Sequence, residues 1–166
     1  MQLENIALTI NGRKHRVEIP PNETLLELLR RLGYMDVKSG CEKGDCGACA
    51  VLLNGEAVNS CLVLAGQARE AVVVTSAGLG TLDHPHPLQE AFADAGAAQC
   101  GFCTPGMVVS AKALLDRNPR PTEEEIREAI SGNLCRCTGY AQIVQAIEMA
   151  AIQMAAQEME CRGGGS

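Results

Sequence analysis

Nine cysteines in a chain of 166 residues carry the chemistry of this sequence. Cys41, Cys46, Cys49 and Cys61 stand in "GCEKGDCGACAVLLNGEAVNSC" as C-x4-C-x2-C-x11-C. Three cysteines at that spacing followed by a distant fourth are the plant-type pattern for ligating a [2Fe-2S] cluster. The spacing has a physical reason. A flat rhomb of two irons and two sulfides held by four thiolates is an anion whose sulfurs accept hydrogen bonds. A loop must therefore curl around it with backbone N–H groups aimed inward, and Gly40, Gly44 and Gly47 supply the turns and the close backbone approach. Zinc fits this group poorly, because a zinc ribbon would offer a second close pair and Cys61 stands alone. A thioredoxin-like reading of "CGAC" lacks the βαβ setting it would need.

A second group follows: Cys100 and Cys103 as C-x2-C, then, 31 residues on, Cys135 and Cys137 as C-x-C in "NLCRCTGY". A disulfide between cysteines as near as Cys135 and Cys137 would be strained. Two loops meeting across helices could instead offer two thiolates each, to an iron–sulfur cluster or to a tetrahedral zinc, and the spacing alone does not choose between them. Thr104 and Thr138 directly follow ligands and are expected to cap helices whose N-terminal dipoles face an anionic site. Haem attachment is excluded, since Thr104 and not histidine follows the C-x2-C. A Rieske centre would need two histidines, and His15, His84 and His86 fall in a hairpin and a linker as ordinary surface residues. Cys161 is left over.

The elements that must position these cysteines can be read from periodicity and turn chemistry. Ile6, Leu8 and Ile10 alternate, Asn11-Gly12 signals a tight turn, and Val17 and Ile19 resume the alternation in a β-hairpin. Thr24 with Glu27 forms a capping box before Leu25, Leu28, Leu29 and Leu32, which line one face of a short helix closed by Gly33. A strand ending at Leu53, a turn at Asn54-Gly55, a returning strand to Cys61 and a further strand at "AVVVT" (71–75) complete a small mixed sheet. "SAGLGTLDHPHP" breaks every period and reads as a linker. Beyond it helices are expected from Leu88 to Ala95, from Thr104-Pro105 to Asn118, from the Thr122/Glu125 capping box to Gly132, and along Ile143, Ile147, Ala150 and Met154. The fold class is therefore α+β: a sheet domain over 1–76, a linker over 77–87, a four-helix domain over 88–160 and a flexible tail over 161–166. Each pair of helices in the second half flanks one cysteine loop.

Composition bounds the function. The chain is 46% apolar with a net charge of −6 and no basic cluster, which argues against nucleic acid or an anionic membrane as partner. No uninterrupted apolar run is long enough to span a bilayer and no leader opens the chain. A cytoplasmic location follows, in whose reducing conditions a cysteine-rich chain holds metal rather than disulfides. There is no P-loop, no dinucleotide-binding glycine motif and no acid–base constellation, so catalysis of substrate chemistry is not expected on this chain.

"GCEKGDCGACAVLLNG", "QCGFCTPGM" and "GNLCRCTGY", in this order and over residues 2 to 155, resemble the iron–sulfur subunit of the molybdenum hydroxylases, the xanthine dehydrogenase, aldehyde oxidoreductase and carbon monoxide dehydrogenase family. The resemblance implies a β-grasp, plant-ferredoxin-like domain followed by a four-helix bundle, with a [2Fe-2S] cluster in each. Cys100, Cys103, Cys135 and Cys137 would then hold the second cluster. It further implies that Gln99 and Cys137 lie against the molybdopterin cofactor of a large subunit, and that a medium subunit carries FAD. The chain would pass electrons from molybdenum through both clusters to FAD, in a dimer of heterotrimers. A freely diffusing two-cluster ferredoxin is the alternative.

Overall fold

The fold is seen in a computed structural model that describes residues 3–163, with side chains as far as Met159, Glu158 excepted. Among the described residues, five strands form one mixed sheet. β1 (Glu4–Ile10) and β2 (Arg13–Ile19) make the expected hairpin around Asn11-Gly12, in register from Glu4 opposite Ile19 to Ile10 opposite Arg13. β3 (Ala50–Leu53) and β4 (Glu56–Asn59) make the second hairpin, around Asn54-Gly55. β5 (Val72–Val74) lies between the hairpins, parallel to β1 and antiparallel to β3, giving the order β2-β1-β5-β3-β4. The returning strand stops at Asn59, two residues short of the reading from sequence. Cys61 stands instead on a 3-10 turn, Ser60–Leu62, which re-aims its side chain out of the strand alternation.

The short helix α1 (Leu25–Arg31) forms as its capping box prescribes. Glu27 N–H donates to Thr24 Oγ1 at 3.2 Å, and Thr24 N–H donates to Glu27 Oε2 at 2.8 Å. Leu25, Leu26, Leu28 and Leu29 are buried against Ile6, Leu8, Ile10, Val51 and Val73, so one hydrophobic core lies between α1 and one face of the sheet.

Four helices follow: α2 (Pro87–Asp94), α3 (Thr104–Arg117), α4 (Glu123–Ala129) and α5 (Ala141–Gly163). They share a second core built on Leu88, Phe92, Met107, Leu115, Ile126, Ile143 and Ile147. A third, smaller apolar cluster joins the two halves. Ala50 and Leu52 point from β3 away from α1 and meet Val109 and Ala113 of α3. β3 is therefore covered on both faces, Val51 by one core and its neighbours by the other.

Several local expectations are corrected. Cys103, not Thr104, is the N-cap of α3; Thr104 is its first residue and Pro105 its second. Thr138 caps no helix, because α5 begins at Ala141 and the Thr138 hydroxyl turns back towards Cys135. α4 ends at Ala129, three residues before Gly132, since Ile130 already takes up the C-cap hydrogen bonds. His86 is not a bystander: its Nδ1 accepts from Leu88 N–H at 3.2 Å as the N-cap of α2, and burial lowers its pKa. His15 shares a hydrogen bond of 2.9 Å with Tyr34 Oη, while His84 is exposed as expected. α5 runs on through Cys161 to Gly163, where the sequence reading begins a flexible tail; no glycine or proline interrupts it before Gly163. The Cys161 side chain and residues 164–166 lie outside the described residues.

Candidate metal centres

The loop between α1 and β3 brings the first four thiols together. It reverses direction through positive φ angles at Glu42 (57°), Gly44 (88°) and Gly47 (66°), conformations that turn consecutive N–H groups to the concave side. Asp45 N–H donates to Cys41 Sγ at 3.2 Å. The backbone N–H of Lys43 is the main cause that holds the Cys41 thiol down to about 7, with the Cys46 thiol adding to it. On the inner side burial pushes Cys61 up to about 11, with Cys49 as its immediate neighbour and Cys41 within electrostatic reach. The loop is tied to the sheet by Asn59, whose Nδ2 donates to Gly44 O at 3.1 Å, and by the buried Ser60, whose Oγ donates to Cys49 O at 2.8 Å. Cys49 and Cys61 are buried; Cys41 and Cys46 are half-buried.

The second four meet where the α2–α3 and α4–α5 connections converge. Here too there is an inner pair and an outer pair. Burial pushes Cys103 up to about 12, with Cys135 beside it. Burial works against ionisation of Cys135 as well, but hydrogen bonds from the Thr138 hydroxyl, the Thr138 N–H and the Cys137 N–H bring it down to about 7. The Thr138 Oγ1 to Cys135 Sγ distance is 3.2 Å. Tyr140, at φ 71°, closes the loop: its hydroxyl accepts from Cys135 N–H at 2.9 Å and donates to Asn133 O at 3.2 Å. The outer pair, Cys100 and Cys137, is exposed, and each thiol perturbs the other. The Phe102 N–H lowers the Cys100 thiol, and the bond to Cys100 raises that of Cys137.

Both sites suit a sulfur-ligated, anionic two-iron group. Each offers four thiols and backbone N–H groups directed at sulfur. In each, the sulfurs stand as two neighbouring pairs, Cys41 with Cys46 and Cys49 with Cys61, Cys103 with Cys135 and Cys100 with Cys137. The Thr104 hydroxyl, next to Cys103, is buried with no partner among the described residues, which leaves a donor for a group bound there.

All eight cysteines are thus brought together in the two expected sets. Gln99 is exposed and directly precedes the exposed Cys100 in the chain. Reasoning from sequence gave no role to Asn133, Ser110, Gly106 or Tyr140. The signals were present inside the motifs, a glycine within an apolar helix in "CTPGM" and an asparagine ahead of "LCRC", but neither names its partner.

Comparison with known proteins agrees with this geometry. Residues 8–75 match the family model of a 2Fe-2S iron-sulfur cluster binding domain, and residues 75–148 that of a [2Fe-2S] binding domain. The chain is 52% identical over 146 residues to the nicotinate dehydrogenase small FeS subunit of Eubacterium barkeri, covering 87% of this chain and 93% of that protein. Among solved structures, quinoline 2-oxidoreductase from Pseudomonas putida 86 superposes with a TM-score of 0.89 at 43% identity, over 95% of this chain and 98% of that one. The aldehyde oxidoreductase of Desulfovibrio desulfuricans gives 0.90 at 46% identity, over 93% of this chain but 17% of that much longer one.

Proposed function

Because the chain belongs to the iron–sulfur subunits of the molybdenum hydroxylase family, with a ferredoxin-like domain followed by a helical one, we propose that it wires the substrate-oxidising centre of such an enzyme to its flavin. The β-grasp sheet would hold one [2Fe-2S] cluster on Cys41, Cys46, Cys49 and Cys61. A four-helix bundle would hold the other on Cys100, Cys103, Cys135 and Cys137. Each cluster supplies one-electron exchange when bound. The chain's own residues do the rest. The N–H groups around Cys41 and Cys135 stabilise thiolate charge, and the two apolar cores keep Cys49, Cys61 and Cys103 dry, which together tune the potentials.

The observation that carries the reading is a pair of four-thiol sites tied to each other by Leu134 N–H donating to Cys46 O at 2.9 Å. Exposed apolar side chains beside the ligands favour a subunit over a diffusing carrier. Leu62 follows Cys61, Phe102 precedes Cys103 and Leu134 precedes Cys135, at 63%, 47% and 57% exposure, and such positions are suited to burial in an assembly. The partners are a large molybdopterin-binding chain on the rim of Gln99 and Cys137 and a medium FAD chain nearer Cys41, in a dimer of heterotrimers in the cytoplasm. No helix among the described residues is long and apolar enough to cross a membrane. Relatives are named for nicotinate, quinoline and aldehyde, so N-heteroaromatic rings are the first substrate class to try on the assembled enzyme.

Purified anaerobically, the complex should carry about four iron and four acid-labile sulfide per copy of this chain. Stoichiometric zinc without sulfide would refute the reading. Gln99→Ala should retain that iron while slowing cluster reduction by substrate, and reduction by dithionite should be unaffected. If substrate-driven reduction is unchanged in Gln99→Ala, the helical-domain site does not face molybdenum.

A further inference from the structure

Asn133 is one of the few buried polar side chains among the described residues, at 4% exposure, and both ends of its amide are hydrogen-bonded, one of them across the seam between the two halves. Its Nδ2 donates to Gly47 O at 3.0 Å, in the turn between the ligands Cys46 and Cys49. Its Oδ1 accepts from Ser110 Oγ at 2.8 Å, on α3, the helix that begins directly after the ligand Cys103. Its carbonyl accepts from the Tyr140 hydroxyl, which also takes the N–H of the ligand Cys135. The next residue, Leu134, donates its N–H to Cys46 O.

Three backbone segments meet around this amide with no room to spare. A Cβ on Gly47 would stand 2.5 Å from Gly132 O and 2.6 Å from Asn133 Nδ2, and one on Gly106 would stand 2.3 Å from Gly47 O. A buried amide is costly unless both ends are satisfied, and here the donor end faces the first site while the acceptor end faces the second. An aspartate of the same shape would turn an oxygen towards the Gly47 carbonyl.

We propose that Asn133 is a positioning residue that fixes the separation and relative orientation of the two iron–sulfur sites, acting through Gly47 on one and through Ser110 and Tyr140 on the other. The inference rests on both sites holding clusters. Separation matters for function because electron exchange between two centres falls steeply with distance, so a seam able to slide would break the conduit without emptying either site.

The test is the magnetic interaction between the two clusters in the fully reduced, assembled complex. Each reduced [2Fe-2S] cluster carries an unpaired spin, and two nearby spins split one another's resonance by an amount set by their separation and orientation. In Asn133→Ala and Asn133→Asp the complex should keep the wild-type iron and sulfide content while the splitting changes or disappears, more so for Asn133→Asp. Thr122→Ala, which weakens the α4 cap away from the seam, should leave the splitting as in wild type and so controls for general loss of stability. Wild-type splitting in an iron-replete Asn133→Asp complex would overturn this inference alone. Absence of iron from the wild-type complex would overturn the proposed function and this inference with it. Should either Asn133 variant assemble without a cluster, Ser110→Ala decides, since it leaves Asn133 in place but unties Oδ1: an iron-replete complex with unaltered splitting refutes the proposal, and a smaller change in the same direction supports it.

Discussion

Gly106→Ala should destabilise the protein, although it replaces glycine by alanine in the first turn of a 14-residue helix. In an unobstructed helix that change would stabilise by about 1 kcal/mol, because glycine has more backbone freedom to lose. Here the new Cβ would stand 2.3 Å from Gly47 O and 3.3 Å from Ala48 Cα, both backbone atoms of the loop that carries Cys46 and Cys49. Backbone cannot yield as a side-chain tip can, so α3 and the loop must move apart. Overpacking a close-packed seam costs about 1–3 kcal/mol, and separation would also strain the Asn133 bond to Gly47 and expose Val109 and Ala113. The steric cost wins, for a net loss of about 2 kcal/mol, which for a chain of this size lowers the thermal midpoint by about 4–8 °C. Gly132→Ala is the matched control. It belongs to the same seam, yet nothing lies within 4 Å of its Cβ position, and its stability should stay within about 0.5 kcal/mol of wild type. Equal midpoints for Gly106→Ala and wild type would mean that the two halves are not held backbone to backbone.

The hairpins, the capping boxes of α1 and α4 and the membership of both cysteine groups were legible in the sequence because each depends on residues close together in the chain. Asn-Gly turns and Thr-x-x-Glu boxes specify their own geometry, and the structure reproduces Thr24 with Glu27 and Thr122 with Glu125. Reading failed at two local groups whose partners lie within three residues, and at one contact between distant ones. Thr138 looks like a helix cap, and its Oγ1 does accept from Tyr140 N–H at 3.1 Å while bonding Cys135 Sγ, but α5 begins only at Ala141, three residues on, so the bond closes the turn ahead of the helix. His86, read as linker surface, is fixed by Leu88 N–H because Pro87 opens a helix that needs a cap. The seam was hidden altogether. Gly47 and Asn133 are 86 residues apart, and nothing in either neighbourhood says that one waits for the other. The second cluster was a similar case: C-x2-C and C-x-C are consistent with zinc or iron, and the family as a whole decides between them.

Cys49→Ser should remove one cluster and spare the other, so that iron falls from about four to about two per chain. Cys49 and Cys61 are the buried members of their site, and a serine at 49 would place a hydroxyl that does not ionise at neutral pH where a thiolate must neutralise iron. Cys103→Ser should do the same at the other site, where Cys103 is the buried ligand. The two ligand sets share no residue and are backed by different cores, Cys49 by that of the sheet and Cys103 by that of the helices, so the losses should be separable. Cys161→Ser is the control and should leave about four iron, as no ligand set needs a ninth cysteine. Metal binding contributes on the order of 10 kcal/mol where a site forms only on folding, so each ligand variant should also unfold at markedly lower denaturant than a surface substitution. The pair then tests the order of the conduit in the assembled enzyme. With Cys49→Ser, substrate should still reduce the remaining cluster but electrons should not reach the flavin. With Cys103→Ser, substrate should reduce neither the remaining cluster nor the flavin, while dithionite reduces both. The reverse pattern, with Cys103→Ser still passing substrate electrons to the ferredoxin-like site, would place that site next to molybdenum and invert the proposed direction.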